Sequence, residues 1–471
     1  MAIILPANTL AAGGFEVANS CRFNDGDSAY IHQTPGGNGS NTAFTLSLWL
    51  KRGIVGTAQS LFAAGTSGVS TLDFLAGDTL AFYDGGSTTV FITNRVFRDP
   101  SAWYHIALIC NTGESGTDKC KLYINGVLET SFSTDNRSSL DAVNHVNQTV
   151  QQAFGQSGTG SQYLDGYLAE IVMLDGTATA IGNLGEYDDD SPTIWKPIDV
   201  SGLSFGTNGY YLDFEDSSNL GNNAGSGAAD FTEVNLAAAD QATDTPTNNF
   251  CVLNSINPRH SDLTMSEGNC ALASSNGQWL GVSSTMAVSR GKWYAEWKYI
   301  SGHNMKFGIV GNGGADVAWL TANVSYGGYL PVGYEYQYNN SGTGYRVNNN
   351  VSPSWSNGSF SSADSIIMMA FDADAGKIWW GRDGTWFNNT GTANPATGSD
   401  ASTSSISSDN APYIISCALE GSGSTGFVNF GGCSAFAISS AVADGDGYGA
   451  FEFAPPSGYF SICTKNLAEY G

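Results

Sequence analysis

The most concentrated set of potential metal ligands is the acidic run Asp188-Asp189-Asp190. Carboxylate oxygens gathered in one loop are ligands that calcium prefers, so this run predicts calcium as the one cofactor that the sequence could hold. A run of adjacent acids also forms simply a solvated loop, and that alternative stays open here. Zinc is not expected, because no Cys-x-x-Cys or paired Cys/His spacing is present.

Residues that could support catalysis are sparse. The five histidines are not spaced as ligand pairs, and no G-x-S-x-G nucleophile motif occurs. Glycoside hydrolysis needs two carboxylates about 5 Å or roughly 6.5–9.5 Å apart. Glu170 is isolated in the sequence, and the nearest acidic cluster, which begins at Asp213, lies at the end of a predicted domain. We therefore expect no enzymatic activity, with a polysaccharide-degrading enzyme as an alternative.

Aromatic residues give the best indication of a binding site. Tryptophan and tyrosine stack on the C–H faces of sugars, while Asn, Asp and Ser fix the hydroxyl groups. Between residues 318 and 355 such rings alternate with glycines and asparagines. The candidate ligand-binding residues in this stretch are Trp319, Tyr326, Tyr329, Tyr345 and Trp355.

Cysteine spacing suggests one cross-link. Cys110 and Cys120 flank a turn-rich segment between two strand-like runs and could face each other across a hairpin. They could form a disulfide, or they could remain a reduced, half-buried pair.

Alternating apolar and polar residues predict half-buried strands throughout the chain. The pattern recurs in TLSLWLKR, LDFLAGDTLAFYD, WYHIALIC, KLYINGVL and YLAEIVML, and Asn125-Gly126 is suited to a tight hairpin turn. After a segment of small and polar residues, the pattern returns in GKWYAEWKYI, MKFGIVG, IIMMAFDADAGKIWW and PYIISCALE. Helical periodicity is poor, so we predict an all-β protein made of two tandem antiparallel β-sandwiches.

The same patterns predict the domain boundaries. Residues 1–19 form an N-terminal arm or a first strand, and residues 20–215 form the first sandwich. Residues 216–247 are a linker or an ordered strap, and residues 248–471 form the second sandwich.

Charge and hydropathy limit the partners. A formal net charge of −25 repels phosphate backbones, so nucleic-acid binding is not expected. The apolar start MAIILPANTL lacks a basic region and is interrupted by Pro6, so no secretory signal is predicted. No apolar run is long enough for membrane insertion.

The first half resembles the laminin-G and pentraxin branch of concanavalin-A-like jelly rolls. TLSLWLKR resembles an early strand of that family, and WYHIALICNTGESGTDKCKLYINGVL resembles its most recognisable strand, hairpin and N-G turn. YLDGYLAEIVMLDG is similar to the strand that follows. This resemblance implies a jelly roll, but the family contains lectins, adhesion modules and purely structural domains.

The second half resembles the SPRY family. GKWYAEWKYI matches its opening strand, and IIMMAFDADAGKIWWGRDGTWF matches its central hairpin. Alternation lets one of Trp379 and Trp380 point inward. The resemblance implies that the other is exposed where SPRY domains contact partners, so Trp380 is a further ligand-binding candidate.

The closing segment FAPPSGYFSICTKNL is similar to the end of SPRY domains in bacteriophage virion proteins. The resemblance implies a tail fibre, head fibre or capsid decoration protein on the virion surface, made in the host cytoplasm. Its expected partners are other virion proteins, a host-surface glycan or protein, and further copies of itself as a homo-oligomer. A purely architectural, self-assembling protein is an alternative.

Overall fold

The computed structural model describes residues 14–471 except positions 68, 87, 257–260, 303, 312–332, 340–343, 349–364 and 388–391, and without the side chains of 333–348 and 387. The described residues form many antiparallel strands and one α-helix, which confirms the predicted all-β class. The chain divides into two compact units, one spanning Leu10–Asn248 and the other containing Asn249–Gly471.

The first unit contains eighteen strands among its described residues. They are β1 Ser20–Phe23, β2 Tyr30–Gln33, β3 Ala43–Arg52, β4 Gln59–Ala64, β5 Ser70–Phe74, β6 Thr79–Asp84, β7 Thr88–Val96, β8 Trp103–Asn111, β9 Cys120–Ile124, β10 Val127–Leu128, β11 Phe132–Asp135, β12 Gln152–Phe154, β13 Gly166–Asp175, β14 Glu186–Tyr187, β15 Trp195–Lys196, β16 Tyr210–Leu212, β17 Thr232–Val234 and β18 Gln241–Ala242.

These strands form two large sheets. Sheet A has the order β10-β9-β8-β3-β13-β1-β18, with β16 also paired to β13, and sheet B has the order β11-β7-β6-β5-β4-β12-β2-β17. Alternate residues such as Leu46 and Leu48 of β3, and Leu72 and Phe74 of β5, are fully buried in one shared core. The two sheets therefore pack face to face as a sandwich.

Residues 216–247 are an ordered strap of the first unit. Their strand β17 pairs with β2 in sheet B, and β18 pairs with β1 in sheet A. The predicted end of the first sandwich at residue 215 is therefore too early, because two of its short edge strands follow that position. Of the N-terminal segment 1–19, only residues 14–19 are described. Val17 N there donates to Thr247 Oγ1 at 3.1 Å.

The second unit is built from thirteen described strands and one helix. They are β19 Leu263–Ser266, β20 Ala271–Ser274, β21 Trp279–Val288, β22 Lys292–Ser301, β23 Asn304–Gly311, β24 Gly333–Asn339, β25 Gly344–Asn348, β26 Ile366–Asp372, β27 Lys377–Arg382, β28 Thr385–Phe387, β29 Thr403–Ser404, β30 Tyr413–Glu420, β31 Ser424–Asn429 and α1 Thr464–Tyr470. Sheet C has the order β19-β20-β31-β22-β26-β27-β28, with β29 on β27, and sheet D has the order β21-β30-β23-β24-β25.

Residues 444–471, which we call the C-terminal segment, cover the outer face of sheet C. Phe451 and Tyr459 pack there against Tyr294 and Trp379 in a cluster separate from the main core. The Asp444 carboxylate holds this segment, since it accepts hydrogen bonds from Ser461 Oγ at 2.7 Å and from Asn466 Nδ2 at 2.8 Å. Both faces of sheet C are therefore apolar and buried.

Replacing Tyr210 with phenylalanine is expected to stabilise the first unit by about 1–2 kcal/mol. The Tyr210 hydroxyl is fully buried and has no hydrogen-bond partner among the described residues, so removing it removes a desolvation cost. Tyr211→Phe is the matched control and should destabilise, because the Tyr211 hydroxyl donates to Glu170 at 2.8 Å. Urea unfolding of the full chain measures both. A loss of stability in Tyr210→Phe would contradict the prediction.

Candidate functional site

Three half-exposed rings lie together on the outer face of sheet B, and we call them the ring platform: Tyr30, His32 and Tyr163. Tyr30 and His32 are two apart on β2, so both point outward while Ile31 between them is fully buried in the core. The Tyr30 ring centroid lies 5.5 Å from that of His32 and 6.3 Å from that of Tyr163. The alternation of one short strand thus creates an aromatic surface open to solvent.

A polar segment, residues 156–162, borders the ring platform. Gly155 N donates to Leu61 O and Ser60 N donates to Gln162 O, so the segment leaves and rejoins the same strand of sheet B. Its Ser157, Thr159 and Ser161 hydroxyls lie within 3.0–3.2 Å of one another. Thr159 and Ser161 are exposed, and Ser161 is two residues from Tyr163, so the segment offers exposed hydroxyl groups close in sequence to one of the rings.

The close approach of Gly158 to the backbone of Gly65 explains why the polar segment can fold back onto the sheet. A Cβ on Gly158 would lie 1.9 Å from the Gly65 carbonyl oxygen, so a larger residue could not pack there. Rings flanked by fixed hydroxyl groups are suited to a neutral, hydroxyl-rich ligand that offers an apolar face and several polar groups.

The ring-rich candidates from the sequence fall mostly outside the described residues. Trp319, Tyr326, Tyr329 and Trp355 lie in the segments that the structure does not describe, and Tyr345 lies in β25, whose side chains are not described. These residues remain predictions.

The expectation that Trp380 is exposed is wrong. Trp380 is fully buried in the main core of the second unit, and Trp379 is fully buried in the cluster beneath the C-terminal segment. The two side chains do point to opposite faces of β27, as alternation requires. Both are buried because both faces of sheet C are covered, so neither can meet a ligand.

The acidic run forms part of a turn. The Asp188 carboxylate is 1% exposed, accepts hydrogen bonds from Asp190 N and Ser191 N, and lies 3.4 Å from Lys196 Nζ. Asp189 and Asp190 are exposed. Across the part of the chain that the structure describes, no group of three His, Cys, Asp or Glu residues could hold a metal ion. The described geometry is that of an acidic turn, and calcium binding at this run stays a prediction.

Cys110 and Cys120 face each other across the hairpin of β8 and β9, as their spacing predicts. They are direct partners in the strand register, and their sulfurs are joined by a disulfide. The hairpin turn that follows β9 contains Asn125 in a left-handed conformation, which accepts a hydrogen bond from His105 N at 2.7 Å.

His105 has a structural role in the first unit. Trp195 Nε1 donates to His105 Nδ1 at 2.9 Å, so Nε2 carries the proton and donates to Ser47 Oγ at 2.8 Å. Complete burial lowers the pKa of His105 to about 3 and keeps the ring neutral. The buried chain from Trp195 through His105 to Ser47 therefore fixes β15 against sheet A.

Two buried acids are absent from the sequence-based candidates. Glu170 lies at a bulge in β13 with φ of 50°, where burial raises its pKa to about 8. Glu296 of β22 is fully buried, and burial raises its pKa to about 7 although four donors surround its carboxylate. Strained and buried acids are common at functional sites, but both of these are covered by protein atoms.

A family model matches part of the first unit. Residues 25–180 match Laminin_G_3, the concanavalin A-like lectin/glucanases superfamily. The predicted laminin-G resemblance is therefore confirmed for this part of the first unit. No curated protein sequence matches the chain.

Several solved structures match parts of the chain at low identity. A candidate carbohydrate-binding protein from Bacteroides ovatus ATCC 8483 is 18% identical with a TM-score of 0.28, covering 35% of this chain and 45% of that protein. The TRIM65 PSpry domain is 9% identical with a TM-score of 0.28, covering 38% and 92%. The SPRY domain of human HERC1 is 13% identical with a TM-score of 0.25, covering 36% and 90%. The chain thus spans less than half of the Bacteroides protein.

No helix among the described residues combines the length and apolar character that a membrane-crossing helix requires.

Proposed function

We propose that this chain is a non-enzymatic bacteriophage virion protein whose first unit binds a host-surface glycan through the ring platform. The main observation in favour of a glycan ligand is the group of three half-exposed rings beside a hydroxyl-rich segment on sheet B. The match of residues 25–180 to a superfamily of lectins and glucanases supports a sugar as the ligand.

The virion location is supported by the closing segment of the second unit. Within FAPPSGYFSICTKNL, Tyr459, Ile462, Cys463 and Leu467 are buried, and Asn466 bonds to the Asp444 carboxylate. The segment that resembles phage proteins is therefore an integral part of the fold. A place on the particle surface, as a tail fibre, head fibre or decoration protein, is consistent with this resemblance.

A non-enzymatic role is supported by the environment of Glu170. A glycosidase needs its acid and its second carboxylate to face a cleft. The Glu170 carboxyl is buried and bonded to Tyr211, so a polysaccharide would have no access to it without rearrangement.

Removing the ring platform is expected to abolish most glycan binding. The double variant Tyr30→Ala/Tyr163→Ala loses two stacking contacts of about 0.5–1.5 kcal/mol each, so affinity should fall roughly 5- to 150-fold. Binding of the full-length protein to immobilised bacterial surface polysaccharides and to whole cells, measured by surface plasmon resonance and fluorescence, tests this prediction.

The matched control is Tyr448→Ala, which removes a half-exposed ring from the second unit and should bind like the wild type. Equal binding by the Tyr30→Ala/Tyr163→Ala variant would exclude the ring platform. If the wild type binds no polysaccharide or cell but forms defined oligomers, the purely architectural alternative replaces the glycan-binding function.

A further inference from the structure

A lysine and an aspartate are buried together where the strap lies on the outer face of sheet A. Lys51 Nζ lies 2.5 Å from Asp244 Oδ2, and each side chain is only 1% exposed. Lys51 belongs to the central strand β3, whereas Asp244 follows β18 near the end of the strap. Ser20 Oγ donates to the Asp244 carbonyl oxygen at 2.6 Å, which holds this part of the strap against β1. The contact therefore joins two positions that are 193 residues apart in the chain.

Aromatic side chains enclose the lysine. Leu50 points into the core of the sandwich, so Lys51 points to the outer face of sheet A. In the strand register Lys51 lies between Trp103 of β8 and Tyr167 of β13, and both of these aromatic residues are buried. The Lys51 ammonium group is 5.9 Å from the centre of the Tyr167 ring. The amine and the carboxyl group therefore meet in an apolar environment.

A permanent ion pair is a costly arrangement in such a place. Moving an ammonium group and a carboxylate out of water costs several kcal/mol for each ion, and the attraction between them often fails to offset this. Transfer of one proton from Lys51 to Asp244 removes both charges. The two side chains then face each other as an amine and a carboxylic acid, which are the groups that condense to an amide.

The geometry suits attack of the amine on the carboxyl carbon. Cγ of Asp244 is one C–O bond beyond Oδ2, so its separation from Lys51 Nζ is close to the roughly 3–3.5 Å at which reacting atoms are productively placed. Trp103 Nε1 donates to Asp244 Oδ1 at 3.0 Å. A fixed N–H group at this oxygen stabilises the negative charge that develops there during the attack.

A second buried carboxyl group lies on the same face of the sheet. Gly53 N donates to Asp165 O at 3.0 Å, so the pairing of β3 with β13 continues for one more residue on each strand. Asp165 is two residues before Tyr167 and is fully buried, and a Cβ on Gly53 would lie 1.8 Å from Asp165 Oδ1. Because side chains alternate along a strand, Asp165 is on the same face as Lys51. A buried acid beside the pair can carry protons during the condensation.

We propose that Lys51 and Asp244 form an intramolecular isopeptide bond, which ties the strap covalently to the centre of sheet A. The Lys51 amine, having given one proton to Asp244 Oδ2, attacks Cγ while Trp103 Nε1 stabilises the charge on Oδ1. Asp165 takes a second proton from Nζ and returns it to Oδ2. The Cγ–Oδ2 bond breaks, the Nζ–Cγ bond remains, and Oδ2 leaves as one molecule of water. This inference does not depend on glycan binding.

The mass of the full-length protein tests the bond. After reduction of the Cys110–Cys120 disulfide, the intact mass of the wild type should be lower than the mass of its sequence by one water molecule. Trypsin should release the peptide that contains Asp244 joined to the peptide that contains Lys51, and fragment ions should locate the link at these two residues. The closed loop should also make the reduced, denatured wild type migrate faster in gel electrophoresis than an open chain.

The matched control is Lys51→Arg, which keeps a positive charge beside Asp244 but cannot attack, because a guanidinium group is not deprotonated in proteins. This variant and Asp244→Ala should both have the full mass of their sequences. A wild type with the full sequence mass overturns the proposal and leaves a buried ion pair, whether or not either variant folds. A folded Lys51→Arg variant that still lacks one water overturns it as well, because the water is then lost elsewhere in the chain.

Discussion

Replacing Glu296 with glutamine is expected to destabilise the second unit by about 2–4 kcal/mol. One carboxylate oxygen accepts hydrogen bonds from Tyr294 Oη at 3.0 Å and Phe453 N at 2.8 Å, and the other accepts from Asn429 Nδ2 and Glu452 N. A glutamine NH₂ group must face one of these pairs. The tyrosine hydroxyl can reverse its role, but a backbone N–H cannot, so at least one buried donor is left facing another donor.

The loss of stability in Glu296→Gln should be localised to the C-terminal segment, which covers the outer face of sheet C. Glu452 and Phe453 belong to the C-terminal segment, so hydrogen exchange should rise first in the peptides around residue 452. Glu420→Gln is the control, because Glu420 is half-exposed and bonds mainly to Asn304, and it should cost well under about 1 kcal/mol. Guanidinium unfolding of full-length variants measures both, and equal stability of Glu296→Gln and wild type would contradict the prediction.

The same substitution at Glu170 is expected to have the opposite effect at high pH. Burial raises the pKa of Glu170 to about 8, with only the Tyr211 hydroxyl donating to its carboxyl. The folded chain therefore binds a proton that the unfolded chain has already lost above about pH 4.5. This contribution is fully present below that pH and is lost as the pH rises through 8, at up to about 1.4 kcal/mol per pH unit.

Glu170→Gln should therefore flatten the decline in stability of the first unit between pH 5 and pH 8 and make the variant more stable than wild type at pH 8. The amide keeps the size of the side chain and still accepts from Tyr211. Acids whose pKa is lowered, such as Asp78, are already ionised throughout this range and add no slope. Urea unfolding at several pH values is the measurement, and parallel pH profiles of variant and wild type would contradict the assignment.

Strand positions and the sandwich class follow from alternation, because burial of one face imposes a period of two on the sequence. The same rule failed for Trp380 because it assumes that the other face is solvated. In sheet C that face is covered by a segment some 70 residues later in the chain, around Phe451 and Tyr459. Neither the local sequence pattern nor residue spacing shows that a distant segment covers the outer face of a strand.

The ring platform was missed for a related reason. Tyr30 and His32 alternate within a strand of four residues, which is a weak signal, and Tyr163 joins them through a segment folded back from β12. Glu170 is isolated in the sequence, and neither its burial nor the bulge with positive φ can be predicted from the letters LAEIV. The Cys110 and Cys120 pairing could be predicted, since a hairpin brings near neighbours in sequence together.

The strap places the two ends of the first unit next to each other, which would allow the unit to be inserted into another protein. Ser20 of β1 and Ala242 of β18 are direct partners in the ladder, so the chain enters and leaves this sandwich at one place. Paired residues of an antiparallel ladder lie only about 5 Å apart, which is the span of a short surface turn. The unit can therefore be grafted as a cassette into an exposed loop of an unrelated scaffold without stretching the host backbone. Recombination between genomes could exchange it in the same manner.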